Sequence, residues 1–229
     1  MTETIFLAFN WLHLLQPQWY IENGGLWFIV FVVFAETGLF AGFFLPGDSL
    51  LFVSGIYSDD LVSSAFNINT DSSILNLLIM GGFISVAGII GNSVGYWFGR
   101  KSGPFLFDRK DSLLFKKKYL YQAKDFYDKH GAGTIIAARF IPFIRTFAPI
   151  IAGIVQMNRA KFSFYNIIGC VAWVFSMLIG GHYLQKIILS SFGFDLKKHL
   201  EVIVIGIVVI TTAPVIIKMF FRKKIKSHE

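Results

Sequence analysis

The segment RFIPFIRTFAPIIAG, residues 139–153, is apolar enough to sit in a bilayer, yet it carries Arg139 and Arg145 and contains Pro142 and Pro149. An arginine at bilayer depth costs at least ~2.5–3.5 kcal/mol even on insertion scales, so the default explanation is a functional site facing water or protein. Snorkelling to the interface is the bland explanation. It is obstructed for both residues by their flanks, Phe140-Ile141 and Phe143-Ile144. The fold turns on whether this stretch crosses the membrane or turns back inside it.

The surrounding chain supplies the membrane. Of its 229 residues, 55% are hydrophobic and only 15% charged, with 26 Phe, which is too apolar for an ordinary soluble domain. Residues 72–99 and 162–185 carry no charge, and Val202 to Phe221 contain only Lys218. Each is long enough to cross ~30 Å of hydrocarbon, which predicts three conventional spans. The N-terminus lacks a basic flank and an A-x-A-like site, so a cleaved leader is not expected. Cys170 is the single cysteine, which excludes an internal disulfide and a cysteine-rich metal site. The five histidines are scattered, so no metal and no cofactor is expected.

Charge sets the orientation. Residues 1–99 hold seven acids and no Lys or Arg, whereas residues 100–229 hold all 21 basic residues and the other seven acids. The positive-inside rule accounts for this more simply than a nucleic-acid surface does. It places residues 100–129 and Arg222, Lys223, Lys224 and Lys226 in the cytoplasm, and Asp59, Asp60 and Asp71 outside.

Two apolar segments fit no single crossing. Residues 23–58 would form a helix of ~54 Å, and Pro46-Gly47 interrupts them; Pro removes a donor and Gly permits a turn. Residues 131–158 carry Pro142 and Pro149 in corresponding places. Both predict re-entrant hairpins, with Pro46, Gly47, Pro142 and Pro149 as the breaks. Leu45-Pro46 followed by Ser54-Gly55-Ile56 parallels Ile141-Pro142 followed by Ala152-Gly153-Ile154, and a charge-free span follows each. Opposite span directions make this an inverted repeat, a recurring design of secondary transporters. The expected fold is therefore an all-α polytopic membrane domain. It has an interfacial helix over 1–22, a first hairpin over 23–58, a span over 72–100 and a cytoplasmic amphipathic region over 101–130. A second hairpin over 131–158 and spans over 160–186 and 200–221 complete it. In the cytoplasmic region, Tyr119, Leu120, Ala123, Phe126 and Tyr127 form an apolar stripe opposite charged residues.

FAETGLFAGFFLPGDSLLFVSG (34–55), GNSVGYWFGRKSG (91–103) and ARFIPFIRTFAPIIAG (138–153) together resemble the DedA family, also called the VTT or SNARE-associated Golgi protein family. Ala138 and Asn92 depart from it, standing where many members have Gly and Asp. The resemblance covers roughly residues 25–190. It implies a polytopic protein of the bacterial cytoplasmic membrane that moves lipid, with undecaprenyl phosphate as the substrate associated with bacterial members and proton motive force as the drive.

The residues themselves suggest how. Arg139 and Arg145 stay charged and can grip phosphate oxygens bidentately, while a half-helix starting near Pro142 points its positive end into the same space. Glu36 and Asp48 would repel that phosphate when ionised and pair with the arginines in its absence, which makes them candidate couplers of protons or sodium. Asp48 also suits a plain first-turn helix position. A lipid pyrophosphatase is the enzymatic rival, but the chain lacks an arrangement setting a nucleophilic His beside arginines, HExxH and GxSxG, so no catalytic residues are expected. A proton- or ion-coupled solute transporter and a general phospholipid scramblase are two further rivals. Membrane lipids are the expected partners, nucleic acid is not, and a homo-oligomer is compatible with all of these.

Overall fold

A computed structural model describes residues 17–39, 47–68, 72–108 and 129–193, together with 122, 125, 127 and 196. The described elements are α1 (Pro17–Gly38), α2 (Gly47–Ile56), α3 (Ser58–Phe66), α4 (Ser73–Asp108), α5 (Thr134–Arg139), α6 (Pro142–Ile154) and α7 (Arg159–Phe192). Among the described residues there is no strand. Pro46, the segment 1–16, the span expected over 200–221 and the stripe residues Tyr119, Leu120, Ala123 and Phe126 lie outside them.

Among the described residues, two helices are long and apolar enough to cross a membrane: Ser73–Gly103 within α4, and α7. Both outrun the spans expected from charge alone, α4 to Asp108 and α7 to Phe192, because hydrogen-bonded helix continues past the first charged residue that bounds each charge-free run. Their outer faces leave Leu78, Val86, Ile90, Ile167, Val171 and Ile187 exposed, the pattern of a surface solvated by hydrocarbon.

The shorter helices pack around these two. In α1, Leu26, Ile29, Val33 and Glu36 recur at helical spacing and are all buried. Gly25 bends the start of this helix, with φ 58° and ψ −157°, a conformation open mainly to glycine. One core cluster joins Ile29 and Val33 of α1, Leu50 and Leu51 of α2, Val62 of α3, Met80 and Ile84 of α4, and Trp173 and Leu178 of α7. A second joins Tyr96, Ile135, Ala152 and Phe162.

The breaks differ in part from expectation. The second falls at Phe140-Ile141, and Pro142 opens α6 at its first position, where a missing N–H costs nothing. Pro149 breaks nothing: α6 runs through it. A proline inside a helix costs ~3 kcal/mol when isolated, but here it is buried and sits on Gly95 of α4, so packing offsets the lost hydrogen bond. Gly47, at the first expected break, is the first residue of α2, and α1 has already ended at Gly38. Helix α3 adds an element to the expected set, although Asp59 and Asp60 in its first turn and Asn67 in the left-handed conformation at its end are ordinary boundary signals.

Candidate functional site

The four charged residues are carried by four helix ends. Asp48 lies in the first turn of α2 and Arg139 closes α5, so each charge opposes the partial charge of its own helix terminus. Glu36 lies near the C-terminal end of α1, and Arg145 makes the first helical hydrogen bond of α6, its N–H donating to Ile141 O at 3.0 Å. These two have the sign their helix dipoles disfavour, by typically ~0.3–1 kcal/mol each. They find each other instead.

Arg145 Nη2 donates to Glu36 Oε1 and Arg145 Nη1 to Asp48 Oδ1, so one guanidinium fork spans both carboxylates. Glu36 and Arg145 are buried and Asp48 partly so. The Glu36 carboxylate also presses on Gly47, where a Cβ would overlap it.

Arg139 has a different partner. It is 2% exposed, and its Nη2 donates to Asn166 Oδ1 at 2.8 Å. Asn166 Oδ1 also accepts from Asn92 Nδ2 at 2.9 Å, and Asn166 Nδ2 donates to Ile89 O at 3.3 Å. The expected pairing of both arginines with carboxylates thus holds for Arg145 and not for Arg139. Trp173 stands between the two: its ring centroid is 4.8 Å from the Arg145 guanidinium and 6.0 Å from that of Arg139, and its Nε1 donates to Asp48 Oδ1 at 3.0 Å.

Sequence reasoning missed Asn166 and Trp173. The available signal was their spacing of seven residues inside a charge-free span, which places an amide and an indole donor on one face of α7.

The cluster retains unused polar capacity. Glu36 Oε2, Arg139 Nη1, Arg145 Nε and Asn92 Oδ1 are buried with no hydrogen-bond partner among the described residues. A buried polar atom without a partner costs ~1–3 kcal/mol or more, so the two donors, Arg139 Nη1 and Arg145 Nε, are where an oxygen-rich ligand would gain most, whereas Glu36 Oε2 and Asn92 Oδ1 are acceptors. Among the described residues no group of His, Cys, Asp or Glu could hold a metal ion. Outside the spans, burial pushes the Tyr127 phenol up to about 12, and its hydroxyl donates to Ala148 O at 3.5 Å.

The model of the VTT domain matches residues 45–183. The chain is 35% identical over 207 residues to Protein DedA of Escherichia coli K12, covering 89% of this chain and 87% of that one. It is 30% identical over 197 residues to a membrane protein of Mycobacterium leprae, with 86% and 80% covered. With Inner membrane protein YqjA of Escherichia coli K12 it shares 32% identity over 164 residues, 71% and 69% of the two chains. No solved structure matches it.

Proposed function

The chain belongs to the VTT-domain family that includes DedA, a family of membrane proteins, and from that membership and the buried charge cluster we propose a non-catalytic membrane transporter that moves a phosphate-bearing carrier lipid such as undecaprenyl phosphate. The observation that carries this reading is the single guanidinium of Arg145 shared by Glu36 and Asp48, beside a second buried arginine that has no carboxylate partner among the described residues. A phosphate reaching this cluster would meet the free donors Arg139 Nη1 and Arg145 Nε and the aligned N–H groups at the start of α6. It must also compete with two carboxylates for Arg145. At an effective dielectric of ~20, each close charge pair is worth ~4 kcal/mol before desolvation is subtracted.

That competition offers a coupling device. Protonating Glu36 or Asp48 removes both its hold on Arg145 and its repulsion of the phosphate, so proton activity on either side would bias a two-state cycle. Sodium could play the same part through the carboxylate oxygens.

The fold reading behind this proposal is an inverted repeat of two re-entrant hairpins, each followed by a span. Matching contacts support it. Gly55 of α2 packs on Leu178 O of α7 while Gly181 packs on Phe52 O; Gly153 of α6 packs on Tyr96 O of α4 while Gly99 packs on Ile150 O. Each of these glycines meets the residue three positions before its partner glycine, so both helix pairs cross in the same register.

The test is transport of a defined polyprenyl phosphate in proteoliposomes at several imposed pH gradients. Wild-type protein should move it faster with a gradient, and Glu36→Gln should bind the lipid yet lose the gradient dependence. Equal movement of every phospholipid would favour a scramblase. Gradient-driven uptake of a soluble ion without lipid movement would favour a solute transporter.

A further inference from the structure

A second cationic feature lies away from the buried cluster. A cavity of about 420 Å³ opens between the end of α4 and the start of α7, lined by Tyr96, Trp97, Arg100, Lys101, Arg159 and Ser163 among others. It shares no lining residue with the charged quartet. Arg100 is the first cation of the whole chain and directly follows the charge-free run 72–99; Arg159 opens α7 just ahead of the charge-free run 162–185. The cavity thus sits where both long helices leave hydrocarbon.

Its cations carry no carboxylate partner among the described residues. Arg100 Nη1 donates to Tyr96 Oη at 2.8 Å and to Met157 O at 3.3 Å, which ties the guanidinium to the turn preceding α7. Tyr96 Oη in turn donates to Met157 O at 2.5 Å. Lys101 Nζ lies 5.2 Å from the centroid of the Trp97 ring, a side chain 59% exposed, as suits an indole at a membrane interface. Among the described residues both ion pairs belong to Arg145, so Arg100, Lys101 and Arg159 have no carboxylate partner there. Three cations around one cavity, with no acid among its described lining residues, select an anion.

The surface leading from the cavity toward the membrane interior is apolar. On α4, exposed Ile90 and Val86 precede Trp97 and Ser93 by seven residues and so continue their stripe; on α7, exposed Ile167 and Val171 follow Ser163 by four and eight. A cationic, tryptophan-edged cavity above exposed apolar helix faces fits a headgroup with its acyl chains below. We propose that this cavity binds the phosphate headgroup of an anionic phospholipid at the membrane surface, as a site separate from the Arg139–Arg145 cluster.

The experiment is native mass spectrometry of the full chain in detergent, titrated with phosphatidylglycerol or with phosphatidylcholine of the same acyl chains, and repeated with inorganic phosphate as competitor. Arg100 is left intact because it anchors the turn. Wild-type protein should prefer the anionic lipid, and the double variant Lys101→Gln/Arg159→Gln should lose at least about tenfold in affinity for it, with phosphatidylcholine unaffected. The charge-keeping variant Lys101→Arg/Arg159→Lys should retain the preference. An unchanged preference in the double glutamine variant overturns the site, and so does an equal loss for both lipids. Inorganic phosphate that binds as tightly as the lipid overturns the lipid assignment and leaves a free-anion site.

Discussion

Arg145 is the residue on which the cluster depends, because no other described side chain neutralises Glu36 and Asp48. Lysine keeps the charge but concentrates it on one nitrogen, so it cannot hold both carboxylates in the geometry of a fork. Arg145→Lys should therefore fold and insert normally while transport falls about tenfold or more, measured in the proteoliposome assay beside a thermal unfolding midpoint. Arg145→Gln strands two carboxylates; breaking a buried pair costs ~3–5 kcal/mol, so a clear drop in unfolding temperature is expected. Adding Glu36→Gln to that variant should recover part of the stability and none of the transport. If Arg145→Gln alone unfolds like wild type, the pairing contributes nothing and the cluster needs another explanation. The positions of the charges were legible in the sequence, since a lone charge in an apolar run is conspicuous. Their pairing was not: that Arg139 turns to Asn166 while Arg145 takes both acids depends on which helix ends converge, and no local pattern encodes it.

At the scale of elements, glycine sets how closely the helices approach. A Cβ at Gly99 would strike Ile150 O of α6, and one at Gly181 would strike Phe52 O of α2, in both cases backbone that cannot swing aside. Gly82 lies in the same helix as Gly99 with nothing near its would-be Cβ. Gly99→Ala and Gly181→Ala should each cost ~1–3 kcal/mol by overpacking, whereas Gly82→Ala should gain ~0.5–1 kcal/mol from helix propensity alone. Unfolding midpoints in one detergent decide the matter: if the three variants rank together, the close crossings are not what holds α2 and α6 in place. These crossings also explain where a local rule fails. Proline signals a break at 142 and at 149 alike, but only Pro142 stands at a helix start; Pro149 is carried inside α6 by its contact with Gly95, a tertiary compensation invisible to local sequence. The long apolar helices, by contrast, were plain from composition, because a charge-free run of more than 20 residues has few other uses.

The whole molecule poses the question left by its helix breaks, namely which chain segments share a side of the membrane. If α1 with α2, and α5 with α6, are re-entrant, both ends of each unit lie on one face, and the two units enter from opposite faces. The positive-inside rule then predicts the faces: residues 1–99 hold no Lys or Arg, and the first basic residue follows at Arg100. Single cysteines can read this directly in a background with Cys170 replaced by Ala. That residue is buried, with its Sγ donating weakly to Ser85 O at 3.6 Å, so the change removes little. Reporters belong at exposed positions, which favours Asp60 over the fully buried Ser58. In intact cells, a membrane-impermeant thiol reagent should label Glu22→Cys and Asp60→Cys, flanking the first unit. It should reach Gly133→Cys and Asn158→Cys, which flank the second at exposed sites, only after the membrane is opened. Labelling of Glu22→Cys from outside with Asp60→Cys reached only from inside would turn the first unit into a crossing and reverse every later element. The two units would then enter from the same face, and the inverted repeat would fail even though the paired glycine contacts remain. Such a result would also remove the basis for alternating access, because a charge cluster between two units entering from one face has no second face to open toward.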